Sequence, residues 1–241
     1  MRLDRALALA LVAVSLSACE TTAEKSAKLE RQAKHVAISE KGLTITRENA
    51  AVKVLAATLV RDSERAAAAI TVQNRSAGAQ RDVPLAITVK DARGRTLFQN
   101  NGPGLEGALV SIPSIAAHQT ITWVDDQLPP GGAPASVSAR VGAAPALRRA
   151  PPTLSIGSER LSEDPAEGLI ATGVVSNHTK VAQSGVAVFA VARRHGKIVA
   201  AGRAVIPQLG ASASTPFQVA FVGEARGARL QLVAPAASFG E

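Results

Sequence analysis

The chain has 241 residues, 27 of them Lys or Arg and 19 Asp or Glu, for a net charge of +8. It holds a single cysteine, so no disulfide can form within it. Five Phe, one Trp and no Tyr leave few flat surfaces for stacking, which argues against recognition of single-stranded nucleic acid and of sugars by that route.

The first five residues carry Arg2 and Arg5, and Ala6–Leu16 is apolar apart from Ser15. A run of about eleven residues cannot span roughly 30 Å of hydrocarbon as a helix, and it has the length of a signal-peptide core. Leu16-Ser17-Ala18-Cys19 follows. This resembles the lipobox of bacterial lipoproteins, a leucine and two small residues before the cysteine that receives lipid. The resemblance implies that residues 1–18 are a leader cleaved before Cys19, and that Cys19 is the lipidation site. The lone cysteine stands where the lipid would be added. The alternative is an ordinary leader with Cys19 as an exposed, reactive thiol. Two or more acyl chains anchor a protein stably where one is marginal. The expected location is therefore the outer face of the cell membrane, or the outer membrane where the organism has one. Glu20, not Asp, follows Cys19, so no inner-membrane retention signal is read there.

Loss of Arg2, Asp4 and Arg5 with the leader leaves the exported part at +7. A basic surface can favour anionic headgroups or acidic wall polymers, but the cations are scattered. Nucleic acid is not expected as a partner. Residues 19–40 are polar and rich in helix formers, with Leu29 and Val36 seven apart on one helical face, and they read as a partly helical tether.

Beyond the tether the pattern is all-β. Residues 41–143 show short β-rich runs at Val52–Val60, Ala66–Gln73, Val83–Val89, Thr96–Gln99, Ala108–Ile112, Thr120–Val124 and Ser136–Val141. Breaks rich in Gly, Pro and Asn between such runs predict a sandwich. Residues 144–152, with Pro145, Pro151 and Pro152, read as a stiff linker. Residues 153–238 resume with Thr153–Ile156, Leu169–Val175, Val186–Ala192, Ile198–Ile206, Pro216–Val222 and Arg229–Val233.

The two halves read as copies. Ile70–Ser76 aligns with Gly173–Thr179, Leu85, Ile87 and Val89 with Ala187, Phe189 and Val191, and Arg93-Gly94-Arg95 with His195-Gly196-Lys197. Ile112–Ile115 aligns with Ile206–Leu209, Trp123 with Phe217 and Val137 with Leu230, as the offset drifts from 103 to 93. Alternate positions 85, 87 and 89, and 187, 189 and 191, are expected to point into the core between two sheets, with Asp91 and Gly94 closing a hairpin. The segment Ile87-Thr88-Val89-Lys90-Asp91, and more faintly Phe189-Ala190-Val191-Ala192-Arg193, is similar to the signature of FxLYD-type domains, immunoglobulin-like sandwiches of bacterial surface lipoproteins. The resemblance implies two tandem immunoglobulin-like β-sandwiches after a cleaved signal peptide and tether, and brings no general catalytic function.

Chemical motifs are few. Gly102-Pro103-Gly104-Leu105-Glu106-Gly107 matches Gly-x-Gly-x-x-Gly, but a proline lies within it and a short strand, not a helix, is expected after it, so it reads as a loop. The four histidines, His35, His118, His178 and His195, lack the close spacing of a zinc site. Ser111, His118 and Asp125 can be written as a triad, but no Gly-x-Ser-x-Gly elbow occurs. Asp125-Asp126 reads as a solvated turn, and Asn74-Arg75-Ser76 and Asn177-His178-Thr179 as Asn-led turns that happen to be glycosylation sequons. No catalytic, cofactor-binding or metal-binding residue is assigned, and no cofactor is expected. The favoured expectation is a non-enzymatic surface lipoprotein that binds or scaffolds an unknown envelope protein or wall polymer. The alternatives are a structural tie between membrane and wall through the basic surface and, third, an exported hydrolase.

Overall fold

A computed structural model describes residues 41–240 except Ala166. The leader, Cys19 and the tether lie outside the described residues. The rest is an all-β fold of antiparallel sheets stacked as sandwiches.

The first half holds β1 (Val52–Arg61), β2 (Ala66–Asn74), β3 (Gln80–Asp91), β4 (Thr96–Gln99), β5 (Ser111–Ile115), β6 (Thr120–Asp125) and β7 (Pro134–Val141). One sheet has the order β1-β2-β6, and in the other β3 pairs with β4, β5 and β7. The second half holds β8 (Leu154–Asp164), β9 (Gly168–Asn177), β10 (Gln183–Arg194), β11 (Lys197–Leu209), β12 (Ser214–Ala220), β13 (Val222–Gly223) and β14 (Arg229–Val233). Its sheets run β12-β9-β8 and β13-β11-β10-β14. The order β1-β2-β6 thus recurs as β8-β9-β12, and β3 with its neighbours as β10 with its own.

One expected strand is partly helical. Gly107–Val110 forms a single turn, α1, and β5 begins only at Ser111. The turn is held by side chains that capture its carbonyls. Trp123 Nε1 donates to Ala108 O at 2.7 Å, Asn100 Nδ2 to Leu109 O at 2.7 Å, and Ser111 Oγ to Gly107 O at 2.9 Å. The segment from Asn100 to Val110 interrupts the first half where the second runs through as the unbroken β11, and this explains most of the drift in offset.

Register fixes which residues correspond. Ile70 faces Trp123 as Gly173 faces Phe217, Val83 faces Ile112 as Val186 faces Ile206, and Val89 faces Val137 as Ala192 faces Leu230. At Gly173 a Cβ would come within 2.8 Å of the Phe217 ring, so the glycine makes room for the aromatic. The same register corrects one expected alignment. Leu85, Ile87 and Val89 correspond to Val188, Ala190 and Ala192, not to Ala187, Phe189 and Val191. A slip of one residue exchanges the faces of a strand. Val186, Val188, Ala190 and Ala192 fill the core of the second half. Ala187, Phe189 and Val191 point the other way and join the core built around β2, β3 and β6.

Strand β10 is therefore buried on both faces. The outer face of β1-β2-β6 docks on the β10–β11 sheet, and β11 lies against β1, β2 and β6. Small residues keep the approach close: Ala67, Ala69, Ala187 and Ala201 are all fully buried. The large contact is aromatic, with the Trp123 and Phe189 rings 6.5 Å apart at 49°. Polar ties add to it. Arg65 donates to Phe221 O at 2.9 Å, Ser114 Oγ to Ala236 O at 2.9 Å, and Arg193 to Thr122 Oγ1 at 3.4 Å. Residues of the Pro-rich stretch run beside β3, where Leu147 N donates to Ala79 O and Arg81 N to Pro145 O.

Truncating Phe189 leaves a hole between the halves, and Phe189→Ala is expected to cost about 3–5 kcal/mol. Urea unfolding measures it, and the emission of Trp123, the sole tryptophan, should shift as its ring neighbour is lost.

Candidate functional site

The sequon asparagines are structural. Asn74 is fully buried, and its Nδ2 donates to Gly78 O at 2.8 Å and Ala116 O at 3.0 Å while its Oδ1 accepts from Ser76 N at 3.0 Å and Ser76 Oγ at 2.7 Å. Asn177 repeats the pattern with Val181 O at 2.8 Å, Gly210 O at 2.9 Å, Thr179 N at 3.1 Å and Thr179 Oγ1 at 2.9 Å. Each asparagine ties two loops at one end of its sandwich, with its amide nitrogen engaged by two carbonyls. The hairpin closure by Asp91 also stands. Its Oδ1 accepts from Arg93 N at 2.8 Å and Arg95 N at 2.9 Å, and the side-chain bond from Arg95 holds its carboxyl below the usual range.

Ser111, His118 and Asp125 do not meet as a triad. The Ser111 hydroxyl closes α1, His118 sits in a turn at φ 58°, and Asp125 Oδ1 accepts from Gln127 N at 3.0 Å. His178 pairs with Ser155 Oγ at 2.6 Å on the exposed β8 edge. No cluster of three or more His, Cys, Asp or Glu with metal-binding geometry occurs among the described residues. The glycine-rich loop leads into α1, which at one turn is too short to hold a pyrophosphate at its N-terminus.

A charged cluster was not expected. Of the pair read as a solvated turn, Asp125 is buried and Asp126 is half-buried with Arg203 of the other half against it. Arg203 of β11, with its side chain 3% exposed, donates through Nη1 to Glu106 Oε2 at 2.7 Å, and its backbone N–H donates to Asp126 Oδ2 at 2.8 Å. Its Nε lies 3.7 Å from Asp126 Oδ1 without a hydrogen-bond partner among the described residues. Two carboxylates, Glu106 and Asp126, thus meet one guanidinium, with Asp125 buried next in the chain. Burial, with the neighbouring Asp126 charge, pushes the Asp125 carboxyl up to about 6, and burial raises Asp126 despite Arg203. One signal was available: Arg203 interrupts the apolar run Ile198–Ile206, where a charge needs a partner.

Among the recesses open to solvent, two border the second half. A cleft of about 260 Å³ lies between the halves, lined by Asp82, Glu106, Ser111, Ser184, Val205 and Ser238 among others. A larger groove of about 480 Å³ runs between β8 and β14, floored by Leu154, Ile156, Leu230 and Leu232, with Glu159 on its wall. In the first half the matching strands β1 and β7 pack together and close the sandwich, and among the described residues no comparable packing joins β8 to β14. The second sandwich is open at one side, and this groove is the candidate binding site.

Scanned against models of known protein families and against curated proteins, the chain matches none.

Each sequon asparagine leaves several buried polar groups without partners when removed. Asn74→Ala and Asn177→Ala are each expected to lower stability by about 2–4 kcal/mol, measured by thermal or urea unfolding.

Proposed function

We propose that the chain is a lipid-anchored surface lipoprotein whose β-sandwich body is a non-enzymatic module that binds or scaffolds an envelope partner. The observation that carries the reading is the lone cysteine at Leu16-Ser17-Ala18-Cys19 behind a short apolar run. The polar groups of the body support it, since the buried asparagines and charged residues described above serve turns and contacts between sheets. The FxLYD-type likeness rests on the first copy, Ile87–Asp91, because Ala190 rather than Phe189 stands at the second copy's matching position. The groove between β8 and β14, with its half-buried apolar floor, supplies a place for a partner, with exposed backbone on the β8 edge for strand addition.

Labelling cells with a palmitate analogue tests the anchor. Label is expected on the wild type and absent from Cys19→Ala, and label surviving that substitution sinks the reading. For the groove, a photo-cross-linker at Glu159 is expected to capture an envelope component that the same group at Arg93 does not. The net +7 of the exported part favours a second reading, a charge-driven tie to acidic wall polymer. That contact should release between roughly 0.05 and 0.5 M salt, whereas an apolar groove contact should persist.

A further inference from the structure

The first copy shows how a sandwich is closed on the side where the second stands open. Just before β1 the chain runs beside the end of β7. Asn49 N donates to Val141 O at 2.9 Å, Ala143 N to Arg47 O at 2.8 Å, and Asn49 Nδ2 to Gly142 O at 3.0 Å. Glu48 thereby bridges to Gly142 in antiparallel register. The approach is tight: a Cβ at Gly142 would come within 2.9 Å of Pro84 and 3.2 Å of Ile45. Register carries these positions into the second copy. Val52 faces Asn74 as Leu154 faces Asn177, which sets Pro151 at the place of Asn49. Val89 faces Val137 as Ala192 faces Leu230, which sets Pro235 at the place of Gly142. Pro151 has no N–H to give and no side-chain amide, and Pro235 puts a ring where the first copy has bare backbone. None of the three bonds has a counterpart among the described residues of the second half.

We propose that Pro151 and Pro235 hold this side open for an extended peptide strand of a partner protein, which lies antiparallel to Ala234–Ala236 and closes the second sandwich as residues 47–49 close the first. The inference rests on the groove between β8 and β14 being the binding site, and it adds the chemistry of what enters. The strand offers a C=O to Ala236 N and an N–H to Ala234 O, which stand at the places of Ala143 N and Val141 O in the first copy. In strand addition the backbone bonds supply affinity and alternate side chains supply specificity. Leu154 and Ile156 of β8 and Leu230 and Leu232 of β14 form the half-buried floor, so alternate residues of the strand are apolar. Glu159 is the one charged side chain among the described residues that line the groove, so the strand also carries a Lys or Arg. That charge pair fixes register more than affinity.

A peptide with the sequence Leu43–Asn49 has these features, since Leu43 and Ile45 alternate and Arg47 supplies the cation. Its dye-labelled form is titrated with the purified chain and followed by fluorescence polarisation. Saturable binding is expected, with the Ala236 amide gaining protection from hydrogen exchange at saturation. The same peptide carrying Asn49→Pro loses the donor for Ala234 O and should bind at least about tenfold more weakly. In the protein, Pro151→Asn together with Pro235→Gly restores the groups that close the first copy, and peptide binding should be lost. Absence of saturable binding, equal binding of the Asn49→Pro peptide, or an unchanged Ala236 amide overturns the proposal. So does a concentration-dependent dimer that expels the peptide, which assigns the groove to a second copy. Where the double variant does not fold, the Asn49→Pro peptide still decides. Capture of an envelope component from Glu159 without peptide binding overturns the strand and leaves the groove, whereas failure of both removes the groove as a site.

Discussion

Strand β10 has no solvent face along most of its length, and the body is arranged around that constraint. A strand buried on one side needs one partner sheet, but a strand buried on both needs two. Its even-numbered core residues commit it to β8-β9-β12, and Ala187, Phe189 and Val191 commit it to β1-β2-β6. The β1-β2-β6 sheet is in turn covered on both sides, since β3 and β5 lie on its other face. Two sandwiches that could have hung on a linker are thereby stacked as four layers of sheet.

Small side chains make the stack possible and also limit it. With alanine at so many contact positions the sheets approach closely, yet each contact buries little apolar area. Stability must then lean on a few large groups, above all Trp123 and Phe189, and on polar ties that neighbouring groups must satisfy. Arg203 shows the cost. It bridges two elements of the other half, and removing one partner of such a buried pair leaves the other uncompensated.

Much of this was legible in the residues. The β-rich runs, the Asn-led turns and the correspondence of Trp123 with Phe217 follow from local pattern, because turns and alternation are local physics. The register of β10 was not legible. Gly185-Val-Ala-Val-Phe-Ala-Val-Ala192 is apolar without a break, so period-two alternation cannot say which face is which, and the alignment chose the wrong one. The unbroken run was itself the signal of burial on both faces. Asp125-Asp126 was misread for a related reason: its partner Arg203 lies far off in sequence, and a charge looks solvated until the element that covers it is known. The groove between β8 and β14 depends on how far apart two edge strands stand, which composition does not encode.

The contact between the halves joins different faces of the two copies: the β1-β2-β6 side of the first meets the β10–β11 side of the second. Such a head-to-tail contact does not close on itself, and repeated between molecules it would grow a filament. The sequence blocks that at both ends. Register sets Ala86, Thr88 and Arg140 of the first copy at the places of Phe189, Val191 and Val233 in the second, so the free face at that end is polar where its counterpart is apolar. At the other end Gln218 and Thr172 stand where the docked copy has Val124 and Ala69. The divergence between the copies thus reads as a pair of caps, which hold the stack to two members and keep one molecule from adding to the next.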